Sequence, residues 1–156
     1  MSVEVSWFSA LCDDDYRHLG VHDPDLKSSW AHCSNITRTA DQNGFDSILL
    51  PSGYALGIDS VAFAGGMAAL TESIRMLVAV RCGELWPPQL ARQLATLDQM
   101  LIGRLAVNII SSDIPGETLA SVPRYARTRE TMQVLRDLLN GKPIDFDGEF
   151  WQLNLD

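Results

Sequence analysis

A strand-like run followed by a helix-like run recurs four times along this chain, and that alternation narrows the possible folds more than any other feature. Strands that alternate with helices are joined by right-handed crossovers into a parallel sheet. The first strand is expected over Val3 to Ser9, with Val3, Val5 and Trp7 at alternate positions. A loop rich in Asp and Gly leads to a helix with Leu26, Trp30, Cys33, Ile36 and Ala40 on one face, started by Ser28 or Ser29 and stopped by Asn43-Gly44. The second strand spans Phe45 to Leu50, and a helix from about Asp59 to Leu70 follows. The third strand, Ile74 to Val80, is apolar except for Arg75, which suits a strand covered on both faces. Pro87-Pro88 opens a third helix with Leu90, Leu94, Leu97 and Leu101 as its buried stripe. The fourth strand is Arg104 to Ile110. The fourth helix begins near Pro123 with Ser121 as its cap and carries Tyr125, Met132, Leu135 and Leu139. The tail changes character, with Asp147-Gly148 between Ile144-Asp145-Phe146 and Glu149-Phe150-Trp151, the signature of a two-residue hairpin.

Two architectures fit this α/β pattern: an open doubly wound sheet, or the first half of an eight-stranded barrel, which takes roughly 250 residues when complete. In both, ligands gather at the carboxyl ends of the strands. The stretches that converge there are Ser9 to Cys12, Pro51 to Tyr54, Arg81 to Glu84 and Asn108 to Asp113.

Composition removes other classes. The 156 residues carry 20 acids against 12 bases, a net charge of −8, and a mean hydropathy of +0.01. Such a chain is repelled by nucleic-acid phosphates and anionic membranes, so neither is an expected partner. The N-terminus lacks the basic start and long apolar core of a signal peptide, and no run approaches the ~20 apolar residues of a membrane span, so a cytoplasmic location is expected. Cys12, Cys33 and Cys82 form no CxxC pair, which disfavours a disulfide framework or structural zinc. His18 and His22 stand four apart, but Gly20 and Pro24 break that stretch, so a solvated loop is expected and no metal.

No GxGxxG, GxxxxGK[ST], GxSxG or HExxH motif is present, which disfavours a nicotinamide Rossmann domain, a P-loop enzyme, an α/β-hydrolase and a zincin. The fourth strand end is the most informative segment. A strand-end Asn such as Asn108 can both donate to and accept from a planar heterocycle, or can simply tie down a loop. Arg124-Tyr125 fall in the first turn of a helix, where free N–H groups attract anions; alternatively Tyr125 packs on the helix stripe with Arg124 in solvent. Cys12 would be a nucleophile or redox group only with a lowered pKa, but Asp13, Asp14 and Asp15 follow it and their charge opposes thiolate formation, so it reads as a bystander or pocket-lining thiol. Arg81 either pairs with Glu84 or faces an anionic ligand.

Several stretches together resemble the bacterial luciferase-like flavin monooxygenases, the alkanesulfonate monooxygenase branch in particular. They are Val5-Ser6-Trp7-Phe8, Phe45 to Gly53, Leu77 to Arg81, Ala91 to Asp98, Gly103 to Ile110, Arg124-Tyr125, and the hairpin Asp145 to Phe150. The resemblance covers essentially all of 1–156 as one luciferase-like domain. It implies a (β/α) TIM-barrel type fold of which this chain is the N-terminal half, four βα units plus a short β-hairpin. It also implies reduced FMN supplied by a separate flavin reductase, or a deazaflavin as in some branches, with O2 and a small organic substrate. Carried over by position, Asn108 and Ser111 match strand-end positions beside the flavin ring, Tyr125 the phosphate region, and Ser52 the pocket loop after the second strand. Cys12, Tyr54 and Arg81 are the expected substrate-pocket residues; no residue is singled out as catalytic. The sulfonate enzymes of this branch have a histidine where Cys12 stands and a cysteine after the second strand, where residues 53–57 have none, which argues against a sulfonate substrate. Strands five to eight have no counterpart. The resemblance therefore implies closure by a homo-oligomer or a complementing half-barrel chain. The alternative is a non-catalytic half-barrel fragment or subunit that needs a partner chain to complete the site.

Overall fold

The computed structural model describes residues 3–21, 23–53 and 57–155. Its elements run β1 (Ser6–Phe8), α1 (Trp30–Gln42), β2 (Ser47–Leu50), α2 (Ser60–Ala68), β3 (Arg75–Arg81), α3 (Pro87–Leu101), β4 (Leu105–Ile110), α4 (Ser121–Leu139), β5 (Ile144–Asp147) and β6 (Gln152–Leu155). One sheet has the order β1-β2-β3-β4, and β5 pairs with β6 in a separate antiparallel ribbon. The sequential order decides between the two architectures. A doubly wound sheet reverses its strand order at a switch point, and this one does not. The fold is the first four βα units of a (β/α) barrel.

Register follows from side-chain alternation. β1 and β2 pair in parallel with Trp7 opposite Ile48, and β2 and β3 with Ile48 opposite Met76 and Leu50 opposite Val78. Ile48, Leu50, Met76 and Val78 are completely buried. The Met76 N–H donates to the Arg104 carbonyl (2.9 Å) and the Cys82 N–H to the Ile110 carbonyl (3.2 Å), so β3 and β4 advance together, in parallel. In that register Asn108 shares the face of Leu49 and Leu77 rather than that of Ile48 and Val78.

The chain divides into two compact units, Met1–Val80 with Leu97–Asn108, and Arg81–Thr96 with Ile109–Asp156. In the first, Ser29 caps α1 by accepting from the His32 N–H, and Asn43-Gly44 ends it with Gly44 at φ +74°. Leu26 lies before this helix, in a short 3-10 turn. Asp59 caps α2 by accepting from the Ala62 N–H, and the Ser60 hydroxyl donates to the Ala79 carbonyl (2.6 Å), which pins α2 to β3. Trp30 of α1 meets Phe63 of α2 edge to face, centroids 5.5 Å apart. All four leucines expected on α3 are buried. The second unit has a small core of Val134, Ile144 and Leu153, against which Leu138, Phe146 and Trp151 pack.

Four expectations are corrected. β1 is shorter than Val3 to Ser9, and Val3 and Val5 are exposed. β3 is covered throughout on its helix side, but on the other face only toward its carboxyl end: Arg75 is exposed, Leu77 half-buried, and Ala79 and Arg81 buried. α4 begins at Ser121 itself; its cap, Ala120, makes no side-chain hydrogen bond, and the Ser121 hydroxyl instead accepts from Arg124 (3.3 Å). Its buried face is Arg127, Thr128, Thr131, Val134 and Leu135, whereas Tyr125, Met132 and Leu139 are exposed. The two threonines can be buried because their hydroxyls donate to the carbonyls four residues back, Thr128 to Arg124 (3.0 Å) and Thr131 to Arg127 (2.8 Å). Finally, the hairpin turn is longer than two residues. Asp147 pairs with Gln152, and the intervening loop wraps the Glu130 carboxylate, which accepts the N–H groups of Glu149 (2.9 Å), Phe150 (2.9 Å) and Trp151 (3.1 Å). Those three bonds hold the chain open where Asp-Gly alone would favour a tight turn.

Candidate functional site

The carboxyl ends of the strands carry the polar groups. In the first unit the chain leaves β1 through a tightly tied loop. Ser28 donates from its hydroxyl to the Ala10 carbonyl (2.6 Å), and Ser28 and Asp13 exchange N–H bonds with each other's side chains (2.6 and 2.7 Å). Cys12 is half-buried here, its N–H directed at the Asp14 carboxylate (3.3 Å). The Ile58 N–H donates to the Leu11 carbonyl (3.0 Å), and a Cβ on Gly57 would overlap that carbonyl, so glycine is what lets the segment before α2 lie against the loop. Ser52 sits half-buried just past β2, and Asn108 half-buried on β4. Tyr54 lies outside the described residues, as does His22.

In the second unit three arginines meet the loop that follows β4. Arg81, ending β3, is almost completely buried. Its guanidinium donates to the Ser112 hydroxyl and to the Asp113 carbonyl (2.8 Å), and it pairs with Glu84 (3.7 Å). Besides pairing with Glu84, Arg81 fastens the β4 loop. Arg124 pairs with Asp113 (2.7 Å), and that hydrogen bond, more than the opposing effect of burial, holds the Asp113 carboxyl below its ordinary range. The arrangement at Arg124-Tyr125 is the reverse of the packing alternative: Arg124 is engaged, and Tyr125 is 61% exposed on the first turn of α4. Arg127 pairs with Glu117 (2.6 Å) and is only 5% exposed. Gly83, at φ +115°, makes room for it, since a Cβ there would stand 2.7 Å from the Arg127 Cζ and Nε.

Several donors in this unit are not used up. The Ser111 hydroxyl, the Arg124 Nε and the Arg127 Nε and Nη2 are buried and have no hydrogen-bond partner among the described residues. A buried guanidinium with free N–H groups is costly, and an anion is the group that relieves it. Arg127 is the residue that reading the sequence missed. The signal was there, since Arg127, Thr131, Val134 and Leu135 share one helix face and a charge on a buried face asks for a partner.

Two of the cysteines are buried. Burial raises the thiols of Cys33 and Cys82 above their ordinary value, against hydrogen bonds from Ser29 and Ser9 for the first and from Thr128 and Thr131 for the second. The His32 ring meets Asp15 at 2.7 Å. No group of three His, Cys, Asp or Glu among the described residues is placed to hold a metal, and no helix among them is long and apolar enough to cross a membrane.

Comparison with known proteins places this geometry. The family described as luciferase-like monooxygenase matches residues 3–156. A sulfoquinovose monooxygenase of Novosphingobium aromaticivorans is 59% identical over 160 residues, an alignment covering 98% of this chain and 44% of that one. A second, of Agrobacterium fabrum, is 51% identical over 151 residues, covering 97% and 39%. The chain thus spans less than half the length of these relatives. Among solved structures, the oxygenating constituent of 3,6-diketocamphane monooxygenase of Pseudomonas putida, determined with FMN, superimposes with a TM-score of 0.80 at 18% identity, over all of this chain and 44% of its own.

Proposed function

Given that the chain belongs to the luciferase-like monooxygenase family, we propose that it carries the N-terminal, cofactor-facing half of a flavin-dependent monooxygenase acting with O2. The observation that carries the reading is the set of unspent buried donors after β4 and on α4. They fit a flavin. In this reading the Ser111 hydroxyl and the Asn108 amide, a donor and acceptor both, address the polar edge of the ring, with Ser52 at the pocket loop. The Tyr125 hydroxyl and the free N–H groups of Arg124 and Arg127 take the phosphate, whose charge suits a guanidinium that has donors to spare. Reduced FMN, bound there, would supply the electrons for oxygen activation. A separate flavin reductase is the implied supplier.

The chain's own part is to bind, orient and exclude water. Arg81 holds the β4 loop through Ser112 and Asp113, so Ser111 is kept in place. Cys12 is proposed to line the substrate side. The substrate class we favour is a sulfonated sugar, after the relatives named for sulfoquinovose at 59% and 51% identity. The histidine and cysteine missing from their expected places argued against a sulfonate; identity this high over nearly the whole chain outweighs them.

The test is an anaerobic titration of reduced FMN into wild type, Asn108→Ala and Tyr125→Phe. Each variant removes hydrogen bonding to the cofactor and is expected to weaken binding at least about tenfold, the equivalent of ~1.4 kcal/mol. Unchanged affinity in two folded variants would refute the assignment.

A further inference from the structure

Resting on the flavin reading above, we infer that Glu117 is a positioning residue for the cofactor's phosphate: it grips one end of the Arg127 guanidinium so that the edge away from it stands as a fork for an oxyanion. Both residues belong to the second unit. A guanidinium carries its donors in a fixed plane. Nε–H and one N–H of Nη2 run parallel along one edge, at the spacing of two oxygens of a phosphate, whereas Nη1 lies on the far side of the group. The contacts of Arg127 divide along those edges. Nη1 donates to the Glu117 carboxylate (2.6 Å). Nε and Nη2, the two atoms of the fork, are buried and have no hydrogen-bond partner among the described residues. Arg124 differs, since it spends Nη1 on Asp113 (2.7 Å) and Nη2 on the Ser121 hydroxyl (3.3 Å), which leaves Nε alone. Arg81 is committed to Ser112, to the Asp113 carbonyl and to Glu84.

The pose of Arg127 is held from several directions. α4 sets it on its buried face beside Thr128 and Thr131, and the Thr131 hydroxyl donates to the Arg127 carbonyl (2.8 Å). A Cβ on Gly83 would stand 2.7 Å from Cζ and Nε and 3.0 Å from Nη1. Those similar distances put Gly83 against the flat face of the group, not off the Nε–Nη2 edge. Rotation of the guanidinium about its own stem is what remains to be fixed, and Glu117 fixes it. Glu117 is anchored in turn, its N–H donating to the Ile114 carbonyl (3.1 Å) in the loop that Arg81 fastens. A fork held in place beforehand loses little entropy when it takes an anion. With Arg127 only 5% exposed, that anion is screened from water, where charge-assisted hydrogen bonds are strongest. The charge of Glu117 itself repels a phosphate, so its value to the site is orientation and not attraction, and the two effects have opposite signs.

Anaerobic titration calorimetry with reduced FMN, reduced riboflavin and inorganic phosphate tests this, on wild type, Glu117→Ala, Glu117→Gln and Glu117→Asp, with circular dichroism to verify folding. Riboflavin has the ring without the phosphate, so a merely structural role for Glu117 would weaken it together with FMN. Glu117→Ala is expected to weaken reduced FMN and phosphate about tenfold and to leave reduced riboflavin unchanged. Glu117→Gln keeps an oxygen on Nη1 without the charge and is expected to bind both at least as tightly as wild type. Glu117→Asp keeps the charge but falls a methylene short of Nη1; it is expected to follow the alanine variant, and it decides the matter if that variant does not fold. Riboflavin weakened in parallel with FMN, a glutamine variant no better than alanine, or an alanine variant as tight as wild type or tighter would each overturn the inference. Phosphate separates it from the function: a chain that binds phosphate in this pattern but no reduced FMN sinks the function and spares the inference, and one that binds reduced FMN equally in all four proteins does the opposite. A wild-type chain that takes up neither overturns both.

Discussion

Asp41, at the end of α1, offers the sharpest test of how the first unit is held. Its carboxylate accepts four bonds from the segment that leads into β3: the N–H groups of Glu72 (2.8 Å), Ser73 (3.0 Å) and Ile74 (2.7 Å), and the Ser73 hydroxyl (2.8 Å). Burial pushes the carboxyl up, but the donors of Glu72, Ile74 and Ser73 outweigh it and hold it below its ordinary 3.8. Asp41→Asn keeps the shape, removes the charge and turns one oxygen into a donor that faces the Glu72 N–H. Hydrogen bonds to charged groups are worth ~1.5–3 kcal/mol each, and most of these are solvent-accessible, so a net loss of about 2 kcal/mol is expected. In a chain this size that lowers Tm by roughly 4–8 °C. The pH dependence has a definite sign. A carboxyl whose folded pKa is depressed stabilises fully above its unfolded pKa, and that contribution fades as pH falls through 3.8 and below. Urea unfolding of wild type and Asp41→Asn at fixed protein concentration, at pH 7 and near pH 3, reads both effects. The gap between the two proteins is expected to be full at pH 7 and to narrow as pH falls below 3.8. Equal midpoints at pH 7, or a gap as large near pH 3 as at pH 7, would refute the reasoning.

Other consequences concern the second unit. Glu130→Gln puts a donor against at least one of the N–H groups of Glu149, Phe150 and Trp151 and is expected to cost about 1–2 kcal/mol; it should also weaken the near-ultraviolet signal of the Trp86–Trp151 edge-to-face pair, whose centroids are 5.6 Å apart. Gly83→Ala combines a strained φ of +115° with a clash against Arg127. A loss of about 1–3 kcal/mol and a displaced Arg127 are expected, seen as a lower thermal midpoint together with weaker binding of reduced FMN.

The sequence and the structure agree best where one physical requirement decides. The α3 leucines had one reason to recur at steps of three and four, and they are the buried stripe. Ser29, Asp59 and Asn43-Gly44 are legible because caps depend on local hydrogen bonds. α4 misleads because apolar spacing does not say what an apolar side faces. Tyr125, Met132 and Leu139 are exposed, while Thr128 and Thr131 go inward by satisfying their own hydroxyls. The hairpin misleads for a long-range reason, since Glu130 lies far back in the chain from the loop it opens. At the site, topology alone pointed to the strand ends and hence to Asn108, Ser111 and Arg81. The web of Arg81, Arg124 and Arg127 with Asp113 and Glu117 depends on how loops fold back on one another, and no local pattern encodes it.

The central claim is that this chain forms the flavin-facing half of a luciferase-like monooxygenase. Calorimetric titration of the purified wild-type chain with reduced FMN under strictly anaerobic conditions tests it most directly. Saturable binding that inorganic phosphate competes away in part, as expected for a cofactor held partly by its phosphate, is the predicted result. A folded chain that takes up no reduced FMN at any concentration tried would contradict the account.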